Sequence, residues 1–101
     1  MEKIKQLAVG LNHRYPNGNE PYQIVTRLAE ECGEVASVVN HHEGSGIKAE
    51  KYGTPRMQDI ADELKNVLAV TMQLMLYYDV EKELSDSIDA TLARLREKGH
   101  L

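Results

Sequence analysis

The chain has 101 residues, 42% hydrophobic and 28% charged, and a formal net charge of -4. This length predicts a single domain over residues 1–101, and this composition is too apolar for a disordered segment. The Lys and Arg residues are scattered, which argues against a nucleic-acid polymer as the partner, and no apolar run reaches the ~20 residues that a membrane helix needs. A single cysteine, Cys32, excludes an internal disulfide, so we expect a reducing, cytoplasmic setting.

Two helices are predicted in the N-terminal half. The first runs from about Glu2 to Tyr15, with apolar residues at helical spacing, and it stops at the Pro-Asn-Gly sequence that follows. The second begins near Pro21, a residue suited to a first helical turn, and ends around Gly44. Cys32 lies in the apolar stripe of this second helix, where a small core residue is the simplest interpretation.

A glycine-rich segment, residues 44–53, predicts a mobile surface loop ahead of the third helix. Thr54 as N-cap and Pro55 at the first position predict the start of that helix, which continues to about Tyr78. Some 24 residues at 1.5 Å each span roughly 36 Å, more than the ~30 Å diameter of a small domain. We therefore expect the ends of this helix to pack on another subunit.

The last helix is predicted from about Val80 to Lys98, with Asp79 capping its start and Gly99 following its end. No segment shows the alternation of a β-strand. The expected architecture is therefore all-α, with four helices that complete their bundle by oligomerisation, because a chain this short buries little surface alone.

Acidic residues fall inside the apolar arcs of the two central helices. When each helix is wound at about 100° per residue, Glu31 lies within the arc of the second helix and Glu63 within the arc of the third. Each is followed three residues later by an oxygen-bearing side chain at the rim of the arc, Glu34 and Asn66 respectively. An i, i+3 pair on each of two facing helices would gather four oxygen donors.

A carboxylate in an apolar interior is costly unless it is paired, protonated or bound to a cation. A divalent metal satisfies several such carboxylates together, and Mg²⁺ prefers oxygen ligands. Ion pairs are the alternative, because Arg27 is placed four residues before Glu31, and Lys65 or a partner's arginine could neutralise Glu63. The sequence leaves both interpretations open.

The acidic motifs resemble those of a known family. Residues 30–34 read EECGE, a spacer of 28 residues follows, and residues 63–66 read ELKN. This arrangement resembles the EExxE and ExxD motifs of the MazG-like, all-α nucleoside triphosphate pyrophosphohydrolases, whose relatives include dimeric dUTPases and dCTP pyrophosphatases. The likeness extends over roughly residues 21–98.

The resemblance implies an activity and a set of site residues. It implies hydrolysis of a nucleoside triphosphate to a nucleoside monophosphate and pyrophosphate, with Mg²⁺, or Mn²⁺ in its place, as the metal. The ligands carried over are Glu31, Glu34, Glu63 and Asn66. Glu30 takes the position of the acid that orients or deprotonates water.

Basic residues are the expected partners of the substrate phosphates. These are Lys48, Lys51 and Arg56, in or just after the glycine-rich loop, and Arg94 on the last helix. Asn66 departs from the family pattern, because aspartate is expected there and a neutral ligand holds a cation less strongly. A homodimer or homotetramer is expected, and a degenerate, non-catalytic helical module of the same fold is the alternative.

Overall fold

The computed structural model describes residues 1–44 and 56–101, and these residues form four α-helices and no strand. The helices are α1 (Glu2–Arg14), α2 (Pro21–His42), α3 (Met57–Tyr78) and α4 (Glu81–Glu97). The all-helical prediction is confirmed. The predicted loop, apart from Gly44, lies outside the described residues.

The start of α2 lies at Pro21, as its sequence predicts, and Gln23 caps it. Glu20 is the N-cap, Pro21 occupies the first helical position, and the side-chain oxygen of Gln23 accepts the backbone N–H of Glu20 at 3.0 Å. Proline fits here because the first N–H groups of a helix have no partner within it.

The third helix begins at Met57, later than the sequence predicts, and Arg56 is its N-cap. The predicted cap, Thr54 and Pro55, lies outside the described residues. The capping group is instead the carboxylate of Asp59, which accepts the backbone N–H of Arg56 at 3.0 Å and its guanidinium at 3.3 Å. These two hydrogen bonds hold the pKa of Asp59 below its ordinary value.

Asp79 was predicted to cap α4, and this was wrong. It is the C-cap of α3 in the left-handed conformation, with φ 53° and ψ 50°, and Val80 is the N-cap of α4. Asp is one of the few non-glycine residues that tolerate this conformation, so it ends one helix rather than starting the next. At the other end of α4, Gly99 follows with a positive φ of 79°, as predicted.

The two central helices, α2 and α3, form an antiparallel hairpin. A hydrogen bond from Arg27 to Gln73 near one end and the electrostatic influence of His41 on Asp59 near the other indicate its register. Helix α1 packs against α3. Among residues 1–44 and 56–101, the buried apolar side chains all come from these three helices; they are Ala8, Ile24, Ala69, Val70 and Met72.

Helix α4 extends from this three-helix unit and has no buried residue. An ion pair between Lys5 and Glu81, 3.0 Å apart, joins its first turn to α1. Among the described residues, no helix combines the length and apolar character that crossing a bilayer demands.

Cys32 is exposed, so the prediction that it belongs to the core was wrong. The apolar residues of α2 are spread around more of the helix than one neighbour covers. Helix α3 covers the side that carries Ile24, and the side that carries Cys32 is left open.

Candidate functional site

A cavity of about 390 Å³ lies where α1, α2 and α3 meet. Its apolar wall comes mainly from α1 and α3, and its polar groups come from α2, α3 and the turn before α2. The lining residues are Leu11, Tyr15, Asn19, Arg27, Glu31, Asn66, Ala69, Val70 and Gln73. An apolar cleft with a few convergent polar groups is the common form of a small-molecule site.

The structure brings two of the four predicted metal ligands to this cavity. Glu31 lines it from α2 and Asn66 lines it from α3. Glu34 lies opposite Asn66 across the hairpin, but its side chain is exposed. Glu63 lies one turn before Asn66 on α3 and is half-buried. Neither of these two lines the cavity, and within residues 1–44 and 56–101 no three His, Cys, Asp or Glu side chains form a group able to hold a metal.

Arg27 and Glu31, which the sequence offered as an ion pair, do not form one among the described residues. Arg27 instead donates to the carbonyl oxygen of Gly18, to Oδ1 of Asn19 at 3.0 Å and to Oε1 of Gln73 at 3.4 Å. All three acceptors are neutral, so none of them compensates the charge of the guanidinium. Glu31 and Arg27 therefore line one cavity as separate charges.

Gln73 connects the helices around the cavity. Its side chain is only 6% exposed, and its Nε2 donates to Oδ1 of Asn12 on α1 at 2.9 Å while its Oε1 accepts from Arg27. Buried amides are costly unless they are hydrogen-bonded, so this network fixes α1 and the turn before α2 on the hairpin.

Arg27 and Gln73 are not among the site residues that the sequence predicts. Their spacing in the sequence could have indicated that they belong to the site. Arg27 precedes Glu31 by four residues and Gln73 follows Asn66 by seven, so each stands on the helix face that carries a predicted ligand. Gln73 was also a polar residue beside the apolar arc of α3.

The other predicted site residues lie away from the cavity lining or outside the described residues. Glu30 is exposed on α2. Arg56 is exposed and forms an ion pair with Asp59. Arg94 is exposed on α4, where it donates a hydrogen bond to Thr91 of the same helix. Lys48 and Lys51 fall within residues 45–55, which the structure does not describe.

The donors at the cavity suit a hard divalent cation in their chemistry. Glu31 supplies a carboxylate that has no ion-pair partner among the described residues, and Asn66 supplies an amide oxygen on the facing helix. Carboxylate and amide oxygens are the groups that Mg²⁺ and Mn²⁺ accept.

Comparison of the chain with protein-family models, curated proteins and solved structures finds no match.

Proposed function

We propose that this protein is a Mg²⁺-dependent nucleoside triphosphate pyrophosphohydrolase of the MazG-like kind. The supporting observation is that Glu31 and Asn66, from the two motifs that resemble that family, line one cavity from facing helices. Arg27 adds a cation to the same cavity, where an anionic substrate needs one.

Four residues would hold the metal: Glu31, Glu34, Glu63 and Asn66. Mg²⁺ or Mn²⁺ held by these residues would neutralise phosphate charge and make water a better nucleophile. The two ligands outside the cavity lining, Glu34 and Glu63, stand about one helical turn from Glu31 and Asn66, and their side chains would have to reorient to bind the metal.

The chain's own groups carry the proton transfer and the orientation of the substrate. Glu30 is exposed and does not line the cavity, but it directly precedes Glu31, and we assign it to accept a proton from the attacking water as the oxygen of that water bonds to the α-phosphorus. The bond from that phosphorus to the α,β-bridging oxygen breaks, so pyrophosphate leaves and a nucleoside monophosphate remains. Arg27 has five N–H groups and uses three of them on neutral acceptors, which leaves two to donate to the substrate. Lys48, Lys51, Arg56 and Arg94 are the further basic residues that we assign to the phosphates.

We also propose that the protein is a homo-oligomer in which a second chain completes the helical bundle. The supporting observation is that α4 buries no residue against the rest of its own chain. Its apolar residues, such as Ile88, which is 49% exposed, need another surface.

Two observations favour a second function, a non-catalytic helical module of the same fold. Asn66 stands where an aspartate is expected, and the described acids do not gather in a group of three. Fewer charged ligands weaken the hold on a divalent cation, and such a site could lose turnover while the fold persists.

One assay separates the two functions. Nucleoside triphosphates are incubated with the protein and Mg²⁺ or Mn²⁺, and pyrophosphate release is measured. We expect metal-dependent release that Glu31→Gln and Glu63→Gln abolish with helical content unchanged, whereas Glu83→Gln, an exposed acid on α4, retains it. Absence of metal-dependent release with every triphosphate would favour the module, and loss of helical content in the first two variants would make those acids structural.

A further inference from the structure

The cavity between α1, α2 and α3 carries opposite charges at two neighbouring positions of α2. Arg27 and Glu31 both line it, and their i, i+4 spacing on the helix puts their Cβ atoms about 5–6 Å from each other. Side chains so placed often form an ion pair, yet the guanidinium of Arg27 donates elsewhere. The cavity therefore has a cationic end at Arg27 and an anionic end at Glu31.

The guanidinium of Arg27 is fixed in place by neutral groups. Two of its acceptors are themselves held by other hydrogen bonds, because Asn19 donates to the carbonyl oxygen of Tyr15 at 2.8 Å and Gln73 donates to Asn12 at 2.9 Å. A side chain that is already ordered loses little conformational freedom when it binds a ligand. The structure thus presents a preorganised cation to the cavity.

No acid among residues 1–44 and 56–101 forms an ion pair with Arg27, since the ion pairs within these residues involve other side chains. Its hydrogen bonds leave one N–H group free on Nε and one on Nη1. A second cation stands nearby, because Tyr15 also lines the cavity and Cζ of Arg14 lies 5.2 Å from the centroid of its ring. Free guanidinium N–H groups form strong, charge-assisted hydrogen bonds with phosphate oxygens.

We propose that the Arg27 end of the cavity is a phosphate-binding subsite that takes a phosphate group without metal, and that Glu31 restricts this subsite to phosphates that arrive with a divalent cation. The first part depends only on Arg27 and its neutral acceptors. The second part rests on the proposed function, because it takes Glu31 as a metal ligand. The ligand is a phosphate group, whether of a nucleotide or of free phosphate or pyrophosphate.

Glu31 acts on the subsite through its charge. Without metal, its carboxylate repels an anion bound one helical turn away, and because Glu31 is half-buried this repulsion weakens binding by on the order of tenfold. A cation on Glu31 removes the repulsion and adds attraction. Two ligands coupled in this way raise each other's affinity by equal factors, typically about 5–150-fold. The cavity then favours polyphosphates that carry a cation over free phosphate.

The first test measures the binding of inorganic phosphate to the full chain without metal, by the NMR shift changes of its amide groups. We expect Arg27→Gln to weaken binding by at least about tenfold and Glu31→Gln to tighten it about tenfold. Arg96→Gln and Glu83→Gln make the same changes of charge at exposed positions of α4, and both should leave the affinity unchanged.

The tightening expected in Glu31→Gln is a gain that a misfolded variant cannot produce, so the test does not depend on how well Arg27→Gln folds. Equal affinities in the unchanged chain and in Glu31→Gln, or no binding of phosphate to either, would overturn the proposal. Tightening of the same size in Glu83→Gln would attribute the effect to the net charge of the chain, and it would also overturn the proposal.

The second test adds Mn²⁺ and separates this proposal from the hydrolase. Mn²⁺ should raise the affinity of the unchanged chain for phosphate by about 5–150-fold and should have little effect in Glu31→Gln. Phosphate binding that depends on Arg27 but not on Mn²⁺ would support the subsite and remove Glu31 as a metal ligand. Metal-dependent pyrophosphate release, with phosphate binding unaffected by Arg27→Gln, would support the hydrolase and overturn the subsite.

The third test asks which part of a nucleotide the cationic end holds. Pyrophosphate and nucleoside monophosphates should displace inorganic phosphate from the unchanged chain, and the stronger competitor identifies the source of the phosphate group. Nucleosides, which have the base and sugar but no phosphate, should not displace it. Displacement by a nucleoside would place the base or sugar at Arg27 and overturn the proposal.

Discussion

The hydrogen bonds of Gln73 allow a sharp test of how the cavity is built. Gln73→Leu keeps a side chain of similar size and removes both bonds, the one donated to Asn12 and the one accepted from Arg27. A typical hydrogen bond contributes about 0.5–1.5 kcal/mol net, so the pair is worth about 1–3 kcal/mol. Burial of the leucine offsets part of this loss. We expect the free energy of unfolding to fall by about 1–2 kcal/mol.

Urea denaturation followed by helical circular dichroism measures this change, at one fixed protein concentration because association also stabilises the fold. Gln6→Leu is the matched control, since Gln6 is exposed on α1, and it should alter stability by less than about 0.5 kcal/mol. Asn12→Ala combined with Gln73→Leu should destabilise by about 1 kcal/mol less than the two single changes added together.

Two results would refute the reasoning. If Gln73→Leu is as stable as the unchanged protein, the buried amide is not held by the network described above. If the double variant shows simple additivity, Asn12 and Gln73 do not interact, and α1 is fixed to the hairpin by apolar contacts alone.

Three further predictions concern the core, pH and the metal. Ile24→Ala should cost about 2–5 kcal/mol because Ile24 is 1% exposed, and Val9→Ala should cost much less in the same denaturation assay; equal losses would contradict the packing. Arg56 lowers the pKa of Asp59 in the folded protein. The stabilisation of the fold by Asp59 is therefore present at pH values above the unfolded-state pKa near 3.8, and it is lost as the pH falls through the folded-state pKa. An NMR titration that gives Asp59 a pKa at or above that value would contradict this. Asn66→Asp should tighten Mg²⁺ or Mn²⁺ binding by calorimetry, and an unchanged titration would remove Asn66 from the site.

Local sequence signals predicted the helices well. Pro21 and the breaker sequence before it placed the start of α2 correctly, because proline and glycine constrain the backbone itself. Asp79 was assigned to the wrong helix because an aspartate between two helices suits both an N-cap and a left-handed C-cap. The choice between these depends on the direction in which the chain leaves α3.

The site was predictable only in part, for a related reason. Winding the helices placed Glu31 and Asn66 on facing surfaces, and both line the cavity. The apolar arc drawn for α3 also included Leu64 and Leu68, which are 47% and 50% exposed. Helical periodicity shows that a face is apolar but does not show which neighbour covers it. For the same reason Cys32 was placed in the core of its own chain.

Helix α4 supplies no residue to the cavity and buries none of its own, and it is attached through the sharp bend at Asp79 and the pairing of Lys5 with Glu81. The chain can therefore be divided at residue 80 into the three-helix unit and α4. A stop codon there should yield a shortened protein in which the hairpin and α1 retain their mutual contacts. Apart from Arg94, which we assign to the substrate phosphates, substitutions in the C-terminal helix should therefore leave the cavity at the other end unchanged.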